Sequence, residues 1–290
     1  MKHFFVVSIP RVMNYRNYFA NAFKNCRSIT RGTATLLGKG FTAQQSNQMS
    51  VDPKEFWNKF YERGYLPWDT KQPSSQLQEY FASNDNSILP KPNSDSLELC
   101  CGTGSSSIFL ALKGFRSVGI DVVPAAIQEA RQIAQRVQLS DAQCKFVEEN
   151  VFNLPNEGFN FDDVQRKAGS DNYTIIKKDE NCKKRFSFIY DCQALHAVRR
   201  MGETEEKFYL NLLKNSLEDG GILFLLVANA NEPEVAPPVM SESEVRNSFP
   251  ESEWEYIWMK ETRFDETEYY KTLEKCPLAW SVLLRKKISQ

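Results

Sequence analysis

Acid is missing from the first part of this chain. No Asp or Glu precedes Asp52, while Lys2, Arg11, Arg16, Lys24, Arg27, Arg31 and Lys39 all do. Long apolar runs are missing too, and none approaches the ~18 residues that a membrane-spanning helix needs, so no membrane partner is expected. Histidine is nearly absent: His3 and His196 are the only two among 290 residues. The seven cysteines show no C-x-x-C and no Cys/His ligand spacing, which excludes a recognisable zinc site, and no metal is expected. Their number is odd, and Cys100 and Cys101 are adjacent, which fits reduced thiols inside a cell rather than a disulfide framework. No internal repeat is present.

What remains is an ordinary globular composition, 41% apolar and 25% charged. The net charge of −1 conceals an asymmetry, because setting aside the seven early cations leaves 29 cations against 37 acids. That acidic body offers no basic stripe, so no nucleic-acid partner is expected. Residues 1–48 form the basic extension, rich in Ser, Thr and Asn, and resemble a transit peptide for a mitochondrion or another organelle. Val12, Tyr15, Phe19 and Phe23 share one helical face, and Asn14, Asn17, Asn21 and Asn25 the opposite one. A loosely docked extension on a cytoplasmic protein fits the same residues.

Residues 49–290 are expected to form one domain. Val51 to Phe81 reads as helical, grouping Phe56, Trp57, Phe60 and Tyr61, with an interruption around Gly64 to Pro67. From Leu97 onward, strand and helix patterns alternate. Strands are expected near 97–101, 117–121, 144–148, 186–191, 222–228, 254–259 and 278–284. Helices are expected near 105–113, 124–137, 203–216 and 241–248. This predicts an α/β fold: a doubly wound, seven-stranded, mostly parallel sheet whose last two strands pair antiparallel, with an N-terminal helical cover. The polar insertion at 158–185 is expected as a solvated loop or as part of a substrate lid.

The motif with chemical content runs from Leu97 to Asp121. A short apolar strand leads into Gly102-Thr103-Gly104, a helix follows, and a second strand ends on Asp121, 19 positions after Gly102. Strand, glycine turn, helix, strand and acid build a nucleoside pocket in an open α/β sheet. The glycines allow close backbone approach, and the acid can accept both ribose hydroxyls. A dinucleotide turn wants a third glycine, where this chain has Ser107.

The alternative pattern, E-x-x-x-G-x-G, is met by Glu98, Gly102 and Gly104. It resembles the first motif of class I S-adenosylmethionine-dependent methyltransferases. Asp121 then matches the family's ribose-binding acid. Asn150 and Val151, after the third strand, match its adenine contacts. Asp191 ends the fourth strand near the expected methyl position. Leu217 to Gly221 resembles the L-x-P-G-G turn, with Asp219 in place of Pro. Ahead of these, Trp57 to Asp69 follows W-x-x-x-Y-x-x-G-x-x-P-W-D. That segment resembles the thiopurine, thiol and halide/thiocyanate methyltransferases and the related tellurite-resistance enzymes. The resemblance implies that Trp57, Tyr61 and Trp68 line a site for S-adenosylmethionine, with the sulfonium facing aromatic rings.

By that resemblance Glu98, Gly102, Gly104, Asp121, Asn150, Val151, Asp191 and Cys192 bind the cofactor, and the acceptor is a small molecule with a soft nucleophile. Cys192 stands where thiopurine methyltransferases carry a substrate-binding Arg, which weighs against a thiopurine. A protein acceptor, or a module that binds the cofactor without turnover, is the alternative. Methyl transfer from a sulfonium requires alignment rather than a protonated leaving group. Asp191 and His196 are the candidate catalytic groups, Asp191 near the methyl and His196 as a general base.

Overall fold

The computed structural model describes residues 52–83, 85–176, 184–232, 239–272 and 275–288. The expected transit segment, residues 1–48 with the Val12–Phe23 face, lies outside the described residues.

Two helices precede the sheet: α1 (Pro53–Glu62), capped by the Asp52 side chain, and α2 (Ser75–Ala82), capped by Ser74. Then come β1 (Asp95–Leu99), α3 (Ser105–Leu112), β2 (Arg116–Asp121), α4 (Pro124–Arg136) and β3 (Cys144–Glu148). A small hairpin follows, β4 (Val164–Arg166) and β5 (Tyr173–Ile175). The chain continues through β6 (Phe186–Cys192), α5 (Ala194–Arg199), α6 (Glu203–Ser216), β7 (Leu217–Ala228), α7 (Glu242–Ser248), β8 (Trp254–Arg263) and β9 (Leu278–Lys286). The main sheet has seven strands in the order β3-β2-β1-β6-β7-β9-β8. Only β9 runs against its neighbours, pairing antiparallel with both β7 and β8. This is the expected doubly wound sheet.

The central strands are apolar on both faces because helices cover both. On one face Phe188, Tyr190, Phe224 and Leu226 pack with α2, α3 and α4. On the other, Leu97, Ile120, Ile189 and Leu225 pack with α5, α6 and α7. The crossover between β1 and β6 puts the open crevice at the carboxyl ends of these strands, where such sheets hold ligands.

The insertion departs from both expectations for it. Phe159, Phe161, Val164 and Tyr173 are buried in the core, so its described part is not a solvated loop. Lys145, near the start of β3, donates to the carbonyls of Phe161 and Val164, and Arg116, at the start of β2, pairs with Asp162. These contacts seat that part at the amino ends of the strands, away from the crevice, rather than over it as a lid.

Candidate functional site

The crevice is built around the glycine turn. After β1 the backbone takes positive φ at Cys100 (+54°), Gly102 (+53°) and Gly104 (+77°). Gly104 begins α3 without a side chain to cap it, and Glu98 does that work from the strand. Its Oε2 accepts from the Ser107 amide at 2.9 Å and the Ser107 hydroxyl at 2.5 Å. The expected cofactor contact of Glu98 is therefore corrected: this buried carboxyl braces the turn, because the helix N-terminus offers it donors. Ser107 packs tightly despite having a side chain, because Gly119 faces it. A Cβ on Gly119 would stand 2.8 Å from Ser107 Oγ. The space that a third glycine would leave on the helix is left here on the strand.

Burial pushes the Glu98 carboxyl up to about 7, against an ordinary 4.5, although the Ser107 donors pull the other way. The folded protein thus holds a proton between those two values that the unfolded chain has lost. The associated stability is fully present below pH 4.5 and fades as pH rises through 7. Thermal melts of Glu98→Gln should lack about 3 kcal/mol of that pH dependence relative to the parent.

Asp121 ends β2 as expected. Its Oδ2 accepts from the Gly102 amide at 2.8 Å and its Oδ1 from the Val123 amide at 2.9 Å. Those bonds fix the carboxylate against the turn, and its remaining lone pairs are available to hydroxyl donors. The amide of Glu149 reaches the Asp121 carbonyl at 3.0 Å, so the end of β3 joins the same rim. There Asn150 Oδ1 caps the short turn Val151–Asn153 by accepting from the Phe152 amide, and Val151 is buried.

The aromatic segment covers this rim. Trp68 is its centre: ring centroids lie 5.2 Å away for Trp57, 5.2 Å for Phe60 and 6.5 Å for Tyr61. A Cβ on Gly102 would meet the Tyr61 hydroxyl at 3.3 Å, so the cover lies directly over the turn. Burial, then the Asp121 and Asp69 carboxylates, hold the Tyr61 phenol well above its usual range and therefore protonated. Trp57, Tyr61, Trp68, Gly102, Gly104 and Asp121 are thus brought together as the sequence suggests.

Asp191 and His196 are not. Asp191 is fully buried on the opposite face of the sheet, where its Oδ1 accepts from the Ala194 and Leu195 amides and its Oδ2 from the Tyr209 hydroxyl. Burial raises it to about 6. It caps α5 and does not face the crevice, because the pleat turns Asp191 away while Tyr190 and Cys192 face the cover side. His196 is buried in α5, with Nδ1 accepting from the Ala228 amide at 3.2 Å. Burial, with Arg200 and Arg199 nearby, lowers it to about 3. Its accepting nitrogen is engaged, so the general-base expectation is corrected to a structural role. Cys192 is half-buried at the end of β6, and burial holds its thiol at about 12.

Sequence reading passed over Asp69, Lys71, Thr103 and Thr267. Thr103 Oγ1 donates to Asp69 Oδ2 at 3.0 Å, and Thr267 Oγ1 to the Pro67 carbonyl at 2.9 Å. Asp69 already stood in the W-D pair of the motif, which was the available signal.

Residues 90–275 match a family described as methyltransferase domain. The chain belongs to that family. The methyltransferase uses S-adenosylmethionine, and Gly102 leaves the backbone beneath the Tyr61 hydroxyl bare of a side chain, which fits such a cofactor. Solved structures share the fold. The protein that converts a disulfide bond into a thioacetal group during echinomycin biosynthesis matches with a TM-score of 0.58 and 17% identity, over 82% of this chain and 93% of that one. Magnesium protoporphyrin IX methyltransferase from Synechocystis, solved with bound S-adenosylmethionine, matches with 0.51 and 15%, over 83% and 100%. TehB from Haemophilus influenzae matches with 0.52 and 13%, over 81% and 67%. At these identities the likeness is one of fold. No curated protein matches the methyltransferase in sequence.

Proposed function

We propose that the methyltransferase moves a methyl group to a small, soft nucleophile: a thiol, a halide or thiocyanate, or a thiopurine-like compound. The observation that carries this reading is the aromatic cover centred on Trp68 and seated on Gly102. A cover so close to the turn favours a small acceptor over a folded protein chain. Bound S-adenosylmethionine supplies an electrophilic methyl group. In this reading Asp121 accepts the ribose hydroxyls, and Asn150 and Val151 meet the adenine. The turn at Gly102 and Gly104 admits the methionine portion, and Trp57, Tyr61 and Trp68 face the sulfonium, each such contact worth roughly 0.5–2 kcal/mol. The protein aligns the reactants and excludes water. A thiol acceptor loses its proton to solvent before the cover closes over it, which agrees with the burial of Asp191 and His196 away from the crevice.

Release of S-adenosylhomocysteine over a panel of thiols, iodide, thiocyanate, selenite and tellurite tests the proposal. Turnover of at least one small member is expected. Turnover of protein acceptors alone, or of none while S-adenosylmethionine still binds, would overturn it.

A further inference from the structure

The cover is attached to the glycine turn through one carboxylate. Asp69 Oδ1 accepts from the Lys71 amide at 2.8 Å, while Oδ2 takes the Thr103 hydroxyl at 3.0 Å and Lys71 Nζ at 2.9 Å. Thr103 lies between Gly102 and Gly104 and is buried. Lys71, at φ +57°, also reaches Glu129 on α4 at 3.1 Å. Three elements therefore meet at Asp69: the strap that carries Trp68, the centre of the turn, and, through Lys71, the helix that follows Asp121. Thr267 holds the same strap from the other side at Pro67.

The helix beyond the strap is held mainly by its rings rather than by buried polar contacts. No residue of α1 is fully buried, although its rings Phe56, Trp57, Phe60 and Tyr61 are partly so, and its ion pair to the sheet, Lys54 with Glu148, leaves the Lys54 side chain 43% exposed. Pairs of that kind contribute little. Between α1 and the strap stands Gly64 at φ +62°, with nothing within 4 Å of where its Cβ would be. The cover thus divides into a strap pinned by polar contacts and a helix whose rings rest on that strap. The rings of Trp57, Phe60 and Tyr61 rest on Trp68, so whatever fixes the strap fixes the cover.

We propose that Asp69 is a positioning residue that fastens the cover to the glycine turn through Thr103 and thereby sets how long the cofactor stays bound. The inference rests on the methyltransferase reading of the turn. It assigns Asp69 no contact with the reacting atoms. A ligand beneath the cover leaves when Trp68 and the rings on it move aside, and the Asp69–Thr103 bond opposes that movement.

The test is the dissociation rate of S-adenosylhomocysteine from the full chain, followed by tryptophan fluorescence after mixing with excess competitor. Asp69→Ala and Thr103→Val should each speed release about tenfold or more, as expected for loss of a hydrogen bond to a charged group. Thr103→Ser, which keeps the hydroxyl, should restore slow release. The double variant Asp69→Ala/Thr103→Val should release no faster than the quicker single variant, because both remove the same bond. Thr103→Val also guards against misfolding of the Asp69 variant, with melting temperature as the check. Release at the parental rate from a folded Thr103→Val protein would overturn the proposal, as would multiplied effects in the double variant. If the unmodified protein bound no S-adenosylhomocysteine, the reading of the turn itself would fall, and the proposal with it.

Discussion

Exchanging Asp121 for Asn is expected to weaken binding of S-adenosylhomocysteine about 100-fold, near 2.7 kcal/mol, without unfolding the protein. The carboxylate uses both oxygens on backbone donors, Gly102 at 2.8 Å and Val123 at 2.9 Å. An Asn amide has one accepting oxygen, so its amino group must face one of those N–H groups. Either the side chain rotates out of place or the turn shifts. On the proposed reading, in both cases the ribose hydroxyls lose a charged acceptor held in position. Charged hydrogen bonds of this kind contribute about 1.5–3 kcal/mol each, so the expected loss is dominated by the ligand rather than by the fold. Titration calorimetry gives the affinity, and a thermal melt of the same sample gives the stability.

The two glycines of the turn should separate in their effects. An added Cβ at Gly104 would lie 2.6 Å from Phe146 and 2.8 Å from Ala130. The position also has φ +77°, which costs an L-residue about 1–2 kcal/mol before any clash. Overpacking adds about 1–3 kcal/mol, so Gly104→Ala should lower the melting temperature by about 4–20 °C. At Gly102 the nearest atom is the Tyr61 hydroxyl, 3.3 Å away, at the end of a side chain that can give way. Gly102→Ala should cost about 1–2 kcal/mol of stability, yet on the proposed reading its methyl group crowds the cover at the Tyr61 hydroxyl where the ligand is held, so affinity should fall about tenfold or more. Melts and titrations of both variants check the contrast. The account expects Gly104 to matter mainly for folding and Gly102 mainly for binding.

The sheet was legible because apolar strands and helices alternate from Leu97 onward, and all seven expected strands occur in it. Gly102 and Asp121 were legible because chemistry and spacing coincide within a single strand-helix-strand unit. Asp191 was legible as a strand end but not in its direction. Phe188, Tyr190 and Cys192 share the cover face, so alternation places Asp191 beneath, where Tyr209 is its partner. The insertion misled through composition. Its charges drew attention away from Phe159, Phe161, Val164 and Tyr173, the residues that bury it. Asp69 was hidden for another reason: its partner Thr103 lies 34 positions away, and no local pattern announces a contact at that distance. Ser107 illustrates the same limit, because the glycine that accommodates it, Gly119, stands on a different element.

The central claim is that the turn at Gly102, closed by Asp121 and the Trp57–Trp68 cover, holds S-adenosylmethionine. Calorimetric titration of the full chain with S-adenosylhomocysteine, and separately with NAD, tests it most directly. The account predicts saturable one-to-one binding of S-adenosylhomocysteine, quenching of tryptophan fluorescence as the cover closes on it, and no heat with NAD. Binding of NAD with no response to S-adenosylhomocysteine would contradict it.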